Sequence, residues 1–235
     1  LANAFKEKYG ELCIIDTLLN ESITRRNINQ LKKKLLQTTV NDKVIVAYAG
    51  HGLLSEEMNY YLTTYETNFD SPKEGGLLYE ELESLLEGIP ARQKLLLVDA
   101  CHSGEVDAKE MKRIDNVFEE NKNLVRGAKR GVTDPNGSRL GLTNTYKLMQ
   151  QIFINISNDI GATVISAASG DQFARETKGN GVFTGVILDY MRRQDSFTVG
   201  QLKSYVSTKV EEITNGLQQP TSRLENLVND WLIWN

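Results

Sequence analysis

The sequence has few cysteines and no long apolar run, and these two shortages exclude several classes of protein. Two cysteines in 235 residues cannot build the multi-disulfide framework of a small secreted domain. Neither CxxC nor Cys/His metal spacing is present, so we expect no structural zinc and a reducing compartment. No apolar stretch approaches the roughly 20 residues of a membrane helix, and no secretory segment opens the chain. We therefore expect a soluble, cytoplasmic protein.

An excess of positive charge is also missing. Lys and Arg number 27 against 31 Asp and Glu, and the net charge of −4 argues against nucleic acid or an anionic membrane as the main partner. The composition, 40% hydrophobic and 25% charged, is ordinary for a globular protein, and we expect one domain. The first ten residues are typical of the end of a helix with Gly10 as its C-cap, so we expect further sequence upstream.

Two apolar runs that each end in a reactive side chain dominate the rest of the chain. Val44–Gly52 (VIVAYAGHG) contains His51, and Lys94–Gly104 (KLLLVDACHSG) contains Cys101. Both runs are predicted to be buried strands, and their alternation with helices predicts an α/β fold, a mostly parallel central sheet covered on both faces. The other predicted elements are helices at Thr24–Gln37, Leu77–Leu86, Val182–Met191 and Val199–Ile213, strands at Leu12–Asp16, Ala162–Ala167 and, at a sheet edge, Asn59–Thr63, and a last apolar stretch at Asp230–Trp234.

The positions of His51 and Cys101 predict thiol chemistry. Ligands of open α/β sheets bind beyond the carboxyl ends of the strands, where both side chains are expected to lie. A free thiol with a pKa of about 8.5 is only a few per cent thiolate at neutral pH, so a nearby imidazole must accept its proton. Acyl transfer also needs N–H groups that face the developing oxyanion, and Gly52 and Cys101 can supply them. These residues indicate a cysteine hydrolase.

The motifs YAGHG and DACHSG resemble those of caspase-like cysteine peptidases, particularly metacaspases and bacterial caspase homologues. In the caspase pattern the histidine lies about 50 residues before the cysteine. Ile165–Glu176 and Gly179–Met191 resemble the strand and helix of the family's small subunit. The resemblance implies a three-layer caspase-like sandwich in which Cys101 is the nucleophile, His51 is the base, and the N–H groups of Gly52 and Cys101 form the oxyanion hole.

The resemblance also implies how the chain is divided. Residues 1–235 are expected to form one peptidase domain, with a larger-subunit part at 1–104, an exposed linker at 105–160 and a smaller-subunit part at 161–235. The family's first strand, which contributes to the substrate pocket, has no counterpart here, so it belongs to another segment or the domain is reorganised. Basic residues and glycines fill the linker, and Arg126, Arg130 and Arg139 are the expected self-cleavage sites.

Asp99 and Asp171 are the candidate substrate-binding residues. Residues two apart in a strand share a face, so Asp99 is expected beside Cys101, where a carboxylate favours Arg or Lys at the cleaved position. Metacaspases, which prefer basic residues, resemble this chain at Asp99, whereas caspases that cut after Asp carry Gln there. Asp171 lies in the segment that walls the family's cleft. Arg175 lies in the same segment and favours the alternative, cleavage after Asp.

Other interpretations of these residues stay open. A core position is the rival role for His51 and Cys101 and the expected one for Cys13. A loop anchor is the rival role for Asp99, and a helix cap is the rival role for Asp171. His102 is the rival base, although its side chain is expected to point away from that of Cys101. At the level of the whole protein, the alternatives are a catalytically silent caspase-like scaffold for interaction or regulation, and an α/β hydrolase or redox protein that uses the thiol for other chemistry.

No cofactor is required for the expected chemistry. Metacaspases often depend on calcium, and Glu66, Glu80, Glu81 and Asp107 lie in roughly corresponding stretches, but solvated helix-face charge explains Glu80 and Glu81 better. The metal is therefore unknown, and calcium activation is an alternative that the resemblance implies. The expected partners are a protein or peptide substrate and a regulatory protein or upstream domain, with no nucleic acid and no membrane.

Overall fold

The computed structural model describes residues 1–55, 59–102, 161–167, 181–216, 218–224 and 230–235, with the main chain alone at Leu54, Cys101, His102, Arg223 and Leu224. Within these ranges the helices are α1 (Ala2–Tyr9), α2 (Arg25–Leu35), α3 (Tyr79–Ser84), α4 (Val182–Arg193) and α5 (Val199–Thr214). The strands are β1 (Lys43–Leu54), β2 (Tyr60–Leu62), β3 (Leu77–Leu78), β4 (Gln93–His102), β5 (Thr163–Ser166), β6 (Phe197–Thr198), β7 (Thr221–Leu224) and β8 (Leu232–Trp234). None of the described helices has the length and apolar character to cross a bilayer.

A six-stranded sheet in the order β3-β2-β1-β4-β5-β7 forms the centre of the fold. The central strand β4 pairs in parallel with β1 on one side and with β5 on the other. The shorter outer strands β2, β3 and β7 are antiparallel to their neighbours. β6 and β8 form a separate two-stranded sheet. The predicted α/β fold with a mostly parallel central sheet is confirmed.

The strand β4 is apolar on both faces because both faces are covered. Leu95, Leu96, Leu97 and Val98 are each at most 3% exposed. Leu96 and Val98 pack into one core cluster with residues of α2 and α3. Leu95 and Leu97 pack into a second cluster with residues of α1, α4 and α5. Such an uninterrupted apolar run is typical of a parallel strand between two helical layers, and it gives the three-layer arrangement that the sequence predicts.

Local signals set the ends of the helices. Thr24 precedes α2 and its hydroxyl oxygen accepts the N–H of Asn27 at 3.2 Å. Thr198 precedes α5 and accepts the N–H of Gln201 at 3.2 Å in the same way. α1 ends at Gly10, which has a φ of 54°, as predicted from the sequence.

Two predicted strands differ from those that form. Leu12–Asp16 is not a strand, since Gly10–Leu12 is a single 3-10 turn and the side chains of Leu12 and Ile14 are 91% and 93% exposed. A short apolar run is compatible with a strand, but a strand also needs a neighbour, and none of the described strands pairs with this segment. Asn59–Thr63 contains β2, but β2 is not an edge strand, because β3 pairs along its outer side and its residues are buried. The predicted linker, residues 105–160, lies outside the described residues.

Candidate active site

The main chain places the predicted nucleophile and base side by side. β1 and β4 pair in parallel along most of their length, and His51 is the register partner of Cys101. Neighbouring strands lie about 4.8 Å apart, and residues paired in a parallel ladder occupy the same face of the sheet. Both positions are near the carboxyl ends of their strands. The pairing therefore unites two positions that the sequence predicts to be close together.

The main chain at His51 is held by two hydrogen bonds. Its carbonyl oxygen accepts the N–H of Thr63 at 3.0 Å and the hydroxyl of Tyr48 at 3.1 Å. The same hydroxyl lies 2.9 Å from the carbonyl oxygen of Thr63. Burial raises the pKa of Tyr48, so this hydroxyl remains a donor at neutral pH. The imidazole of His51 is exposed and lies edge-on to the ring of Phe69, with centroids 6.4 Å apart. These contacts fix the strand end while the ring stays accessible.

Steric crowding explains why glycines flank His51. A Cβ at Gly52 would lie 1.8 Å from the hydroxyl oxygen of Tyr60, and one at Gly50 would lie 2.5 Å from that of Tyr48. Such distances are well below van der Waals contact, so both positions require glycine as long as the tyrosines keep their places. The sequence predicts close approach of a substrate at Gly52. The structure shows close approach of the protein's own Tyr60.

Asp99 is half-buried and bound to the start of α4. Its Oδ2 atom accepts the hydroxyl of Thr184 at 2.5 Å and the N–H of Thr184 at 3.2 Å. A Cβ at Gly181, the residue before α4, would lie 2.8 Å from the same oxygen. The carboxylate therefore rests against the positive end of the helix dipole, which favours a negative charge there. The anchoring role that the sequence leaves open for Asp99 is present in the structure.

A small pocket lies above Asp99. Its volume is about 180 Å³, well below the roughly 300–1,000 Å³ of pockets for drug-sized ligands, so it suits a single side chain. The apolar walls come from residues of β1 and β4, from α4 and from the first residue of the chain, namely Ala47, Ala49, Leu97, Phe183 and Leu1. Asp99 contributes a carboxylate to this apolar lining, and it occupies the same sheet face as the Cys101 position because the two are two residues apart in β4.

A sequence profile described as the caspase domain matches residues 1–230. The chain belongs to the caspase domain family. It is similar to the protein GSU0716 from Geobacter sulfurreducens, whose crystal structure is 19% identical in sequence with a TM-score of 0.50. The match covers 91% of this chain and 78% of that chain, and at this identity it supports the fold alone. No curated protein matches the sequence. The resemblance carried by YAGHG and DACHSG is thus confirmed at the level of the family, which is one of cysteine peptidases.

Several predicted site residues of this caspase domain lie outside the described residues. They are Asp171, Arg175, Asp107 and the linker residues Arg126, Arg130 and Arg139. Their roles stay predictions from the sequence.

The acidic residues considered for calcium have other contacts in the caspase domain. Glu66 accepts the N–H of Arg25 at 3.2 Å. Glu81 forms an ion pair with the Arg25 guanidinium and accepts the N–H of Leu78 at 2.9 Å, and Glu80 is exposed on α3. In the described part of the chain, no three or more His, Cys, Asp or Glu side chains are arranged to hold a metal ion. Calcium activation therefore gains no support from these residues.

The second thiol, Cys13, is less buried than its expected core position requires. It is half-buried at the start of the extended segment that follows the first 3-10 turn. Desolvation by this partial burial raises the pKa of the Cys13 thiol, which makes it a poorer nucleophile at neutral pH. Cys13 is consequently a suitable internal reference for the reactivity of Cys101.

Sequence reasoning missed Tyr48, Thr63 and Thr184. Tyr48 lies inside the YAGHG motif, three residues before the histidine, and this proximity in sequence could have indicated a contact with His51. Thr184 lies in the first turn of a correctly predicted helix, but its partner Asp99 is 85 residues away in sequence, and local patterns carry no information about that pairing.

Proposed function

We propose that this caspase domain is a cysteine endopeptidase in which Cys101 is the nucleophile and His51 is the general base. The single observation that carries the proposal is the register of β1 and β4, which sets the two residues opposite one another. The exposed imidazole of His51 supports it, because a base that receives a proton from the nucleophile must be reachable by the substrate.

The proposed reaction proceeds in two acyl-transfer steps. His51 accepts the thiol proton of Cys101, and the thiolate attacks the carbonyl carbon of the scissile peptide bond. The oxyanion is bound by the N–H groups of Gly52 and Cys101. When the tetrahedral intermediate collapses, the C–N bond breaks, and His51 returns the proton to the leaving amine. Water then attacks the thioester with His51 as base, which releases the acid and restores the thiol.

We propose further that the enzyme cleaves after Arg or Lys. The pocket above Asp99 is the size of one side chain, and its apolar walls suit the methylene groups of a long basic residue. At the pocket's charged end, a carboxylate forms strong charge-assisted hydrogen bonds with a guanidinium or ammonium group. Asp171 is proposed as a second acidic residue of this pocket on the sequence alone.

Alkylation by an arginyl chloromethyl ketone tests the proposal. We expect stoichiometric labelling of Cys101, equal labelling of Cys13→Ser, and no labelling of Cys101→Ala. His51→Ala is expected to slow both labelling and peptide hydrolysis by about 10²- to 10⁴-fold, the usual contribution of a general base. Hydrolysis that persists in Cys101→Ala, or a wild-type preference for acidic residues in a peptide library, would contradict the assignment.

Self-processing in the linker is the last part of the proposal. Arg126, Arg130 and Arg139 separate the 1–104 part from the 161–235 part, and each matches the proposed specificity. Incubated wild-type protein should yield two main fragments, whereas Cys101→Ala should stay intact. Equal fragmentation of both proteins would show that another protease cuts the linker. This thiol chemistry needs a reducing compartment such as the cytoplasm, and a regulatory protein or upstream domain is the proposed restraint on it.

A further inference from the structure

In two helices of this protein, a threonine at the N-cap or in the first turn binds an aspartate from a distant segment. At α5, the hydroxyl of Thr198 donates to Oδ2 of Asp230 at 2.7 Å, and the N–H of Gly200 donates to Oδ1 at 2.7 Å. At α4, the hydroxyl and the N–H of Thr184 both donate to Oδ2 of Asp99. In each case a glycine leaves room for the carboxylate, since a Cβ at that glycine would lie 2.8 Å from the oxygen.

The two pairs differ in how many of the carboxylate oxygens are hydrogen-bonded to the helix. Asp230 is exposed and uses both of its carboxylate oxygens to hold the start of α5. Asp99 is half-buried and directs both hydrogen bonds to Oδ2, while Oδ1 accepts no hydrogen bond from the residues that the structure describes. Asp99 also lines the pocket, whereas Asp230 does not. Asp99 therefore holds the first turn of α4 with one oxygen, and its other oxygen is left for a further partner in the pocket.

We infer that Thr184 is a specificity-determining residue, which positions the Asp99 carboxylate so that Oδ1 receives the basic side chain of the substrate. The inference rests on the proposed function and adds a residue to it. Thr184 also borders the pocket, but the role assigned to it is that of a positioning residue, which acts through its hydrogen bonds to Asp99.

The physical basis is preorganisation. A carboxylate turns about its terminal bond, and ordering it during binding costs conformational entropy. Two donors on one oxygen restrict that rotation before the substrate arrives, and they leave the lone pairs of the other oxygen available to a cation. A side chain at position 184 without the hydroxyl keeps only the longer N–H contact of 3.2 Å. The substrate cation would then bind a carboxylate whose rotation is less restricted.

The test compares two peptides that differ only at the cleaved residue, one with arginine and one with its neutral analogue citrulline. For the wild type we expect kcat/KM to favour arginine by about 10- to 100-fold, the usual range for a hydrogen bond to a charged group. Thr184→Val should reduce this ratio by about tenfold, mainly through KM, and Thr184→Ser, which keeps the hydroxyl, should restore it. The rate of Cys101 alkylation by uncharged iodoacetamide should be the same in all three proteins.

Thr198→Val is the matched control. It removes a hydroxyl that donates to Asp230 and also accepts the N–H of Gln201 at the start of α5, so it should lower the melting temperature at least as much as Thr184→Val does, yet leave the arginine to citrulline ratio unchanged. Gly181→Ala is a second variant, since its Cβ must displace Oδ2 of Asp99, and it should also lower the ratio.

The outcomes separate this inference from the proposed function. A wild-type enzyme that discriminates arginine from citrulline, together with Thr184→Val and Gly181→Ala proteins that keep the wild-type ratio, would overturn the role of Thr184 alone. Wild-type protein that hydrolyses neither peptide and shows no selective alkylation of Cys101 would overturn the proposed function and this inference with it.

Discussion

Replacing Lys32 with methionine is expected to destabilise the protein by about 2 kcal/mol. The ammonium group of Lys32 on α2 donates to the carbonyl oxygens of Ser84 at 2.6 Å, Leu85 at 3.3 Å and Glu87. These carbonyls lie at the C-terminal end of α3 and just beyond it, and that of Ser84 also accepts the N–H of Glu87 at 3.2 Å. Methionine keeps the apolar stem of the side chain and removes the charged donor.

The magnitude follows from the three contacts and the cost of making them. A hydrogen bond to a charged group contributes about 1.5–3 kcal/mol, but partial burial of the ammonium offsets part of this gain, and one of the contacts is long. Desolvation by burial is also the main cause that lowers the pKa of Lys32. We therefore expect less than the sum of three bonds, and about 2 kcal/mol corresponds to a fall of about 1 M in the urea midpoint if m is about 2 kcal/mol/M.

Urea unfolding of Lys32→Met and Lys33→Met provides the measurement. Lys33 is the neighbouring lysine on α2 and is exposed, so its replacement should change the free energy of unfolding by less than about 0.5 kcal/mol. Because the pKa of Lys32 is lower in the folded state, the unfolded chain binds this proton more tightly. The wild type should therefore gain stability relative to Lys32→Met as the pH rises through the folded-state pKa. Equal destabilisation by the two substitutions would refute the reasoning.

Two further predictions concern the glycines and the second thiol. Gly52→Ala should lower the melting temperature and the activity together, because its Cβ would lie 1.8 Å from the hydroxyl oxygen of Tyr60, whereas Gly185→Ala, with no atom within 4 Å of its Cβ, should be neutral or stabilising by up to about 1 kcal/mol. Equal melting temperatures for the two variants would contradict the packing at Tyr60. Iodoacetamide should modify Cys13 more slowly than Cys101 at pH 7, since a raised pKa reduces the thiolate fraction, and mass spectrometry of partially labelled protein measures the ratio.

The central sheet could be predicted because its strands carry their own signal. Val44–Gly52 and Lys94–Gly104 are continuous apolar runs, and only a strand covered on both faces needs such a sequence. The predicted runs coincide with β1 and β4, and the helices α4 and α5 begin at the predicted residues Val182 and Val199. Periodicity and burial agree in these elements, so a single sequence suffices to place them.

The short strands β6 and β7 could not be predicted, because their existence depends on partners elsewhere in the chain. β7, which pairs along β5, and β6, which pairs with β8, have only four and two residues. Their apolar pattern is too short to separate from a loop. Leu12–Asp16 shows the opposite case, with a run of four apolar residues and no neighbouring strand among the described residues. A local pattern shows that a segment is compatible with a strand, while pairing with a neighbouring strand decides whether the strand forms.

The candidate site also has one feature that local sequence predicts and one that depends on tertiary contacts. The proximity of His51 and Cys101 could be predicted, because both motifs end strands that are adjacent in a parallel sheet. The restraint on Asp99 by Thr184 could not be predicted, because it depends on how the first turn of α4 approaches the end of β4. The position of a residue along a strand can be predicted from the local sequence. The contact between a strand residue and a distant helix cannot.

In the shared ladder of β1 and β4, the pairing of His51 with Cys101 depends on the number of residues that precede each of them in its strand. From the first paired residues, Lys43 and Gln93, the two strands advance by the same number of residues before they reach the histidine and the cysteine. Deleting one residue from either strand would turn one of the pair to the opposite side of the sheet. Deleting one from both would preserve their match. Natural length variation in this fold should therefore fall in the loops before these strands, or change both strands together.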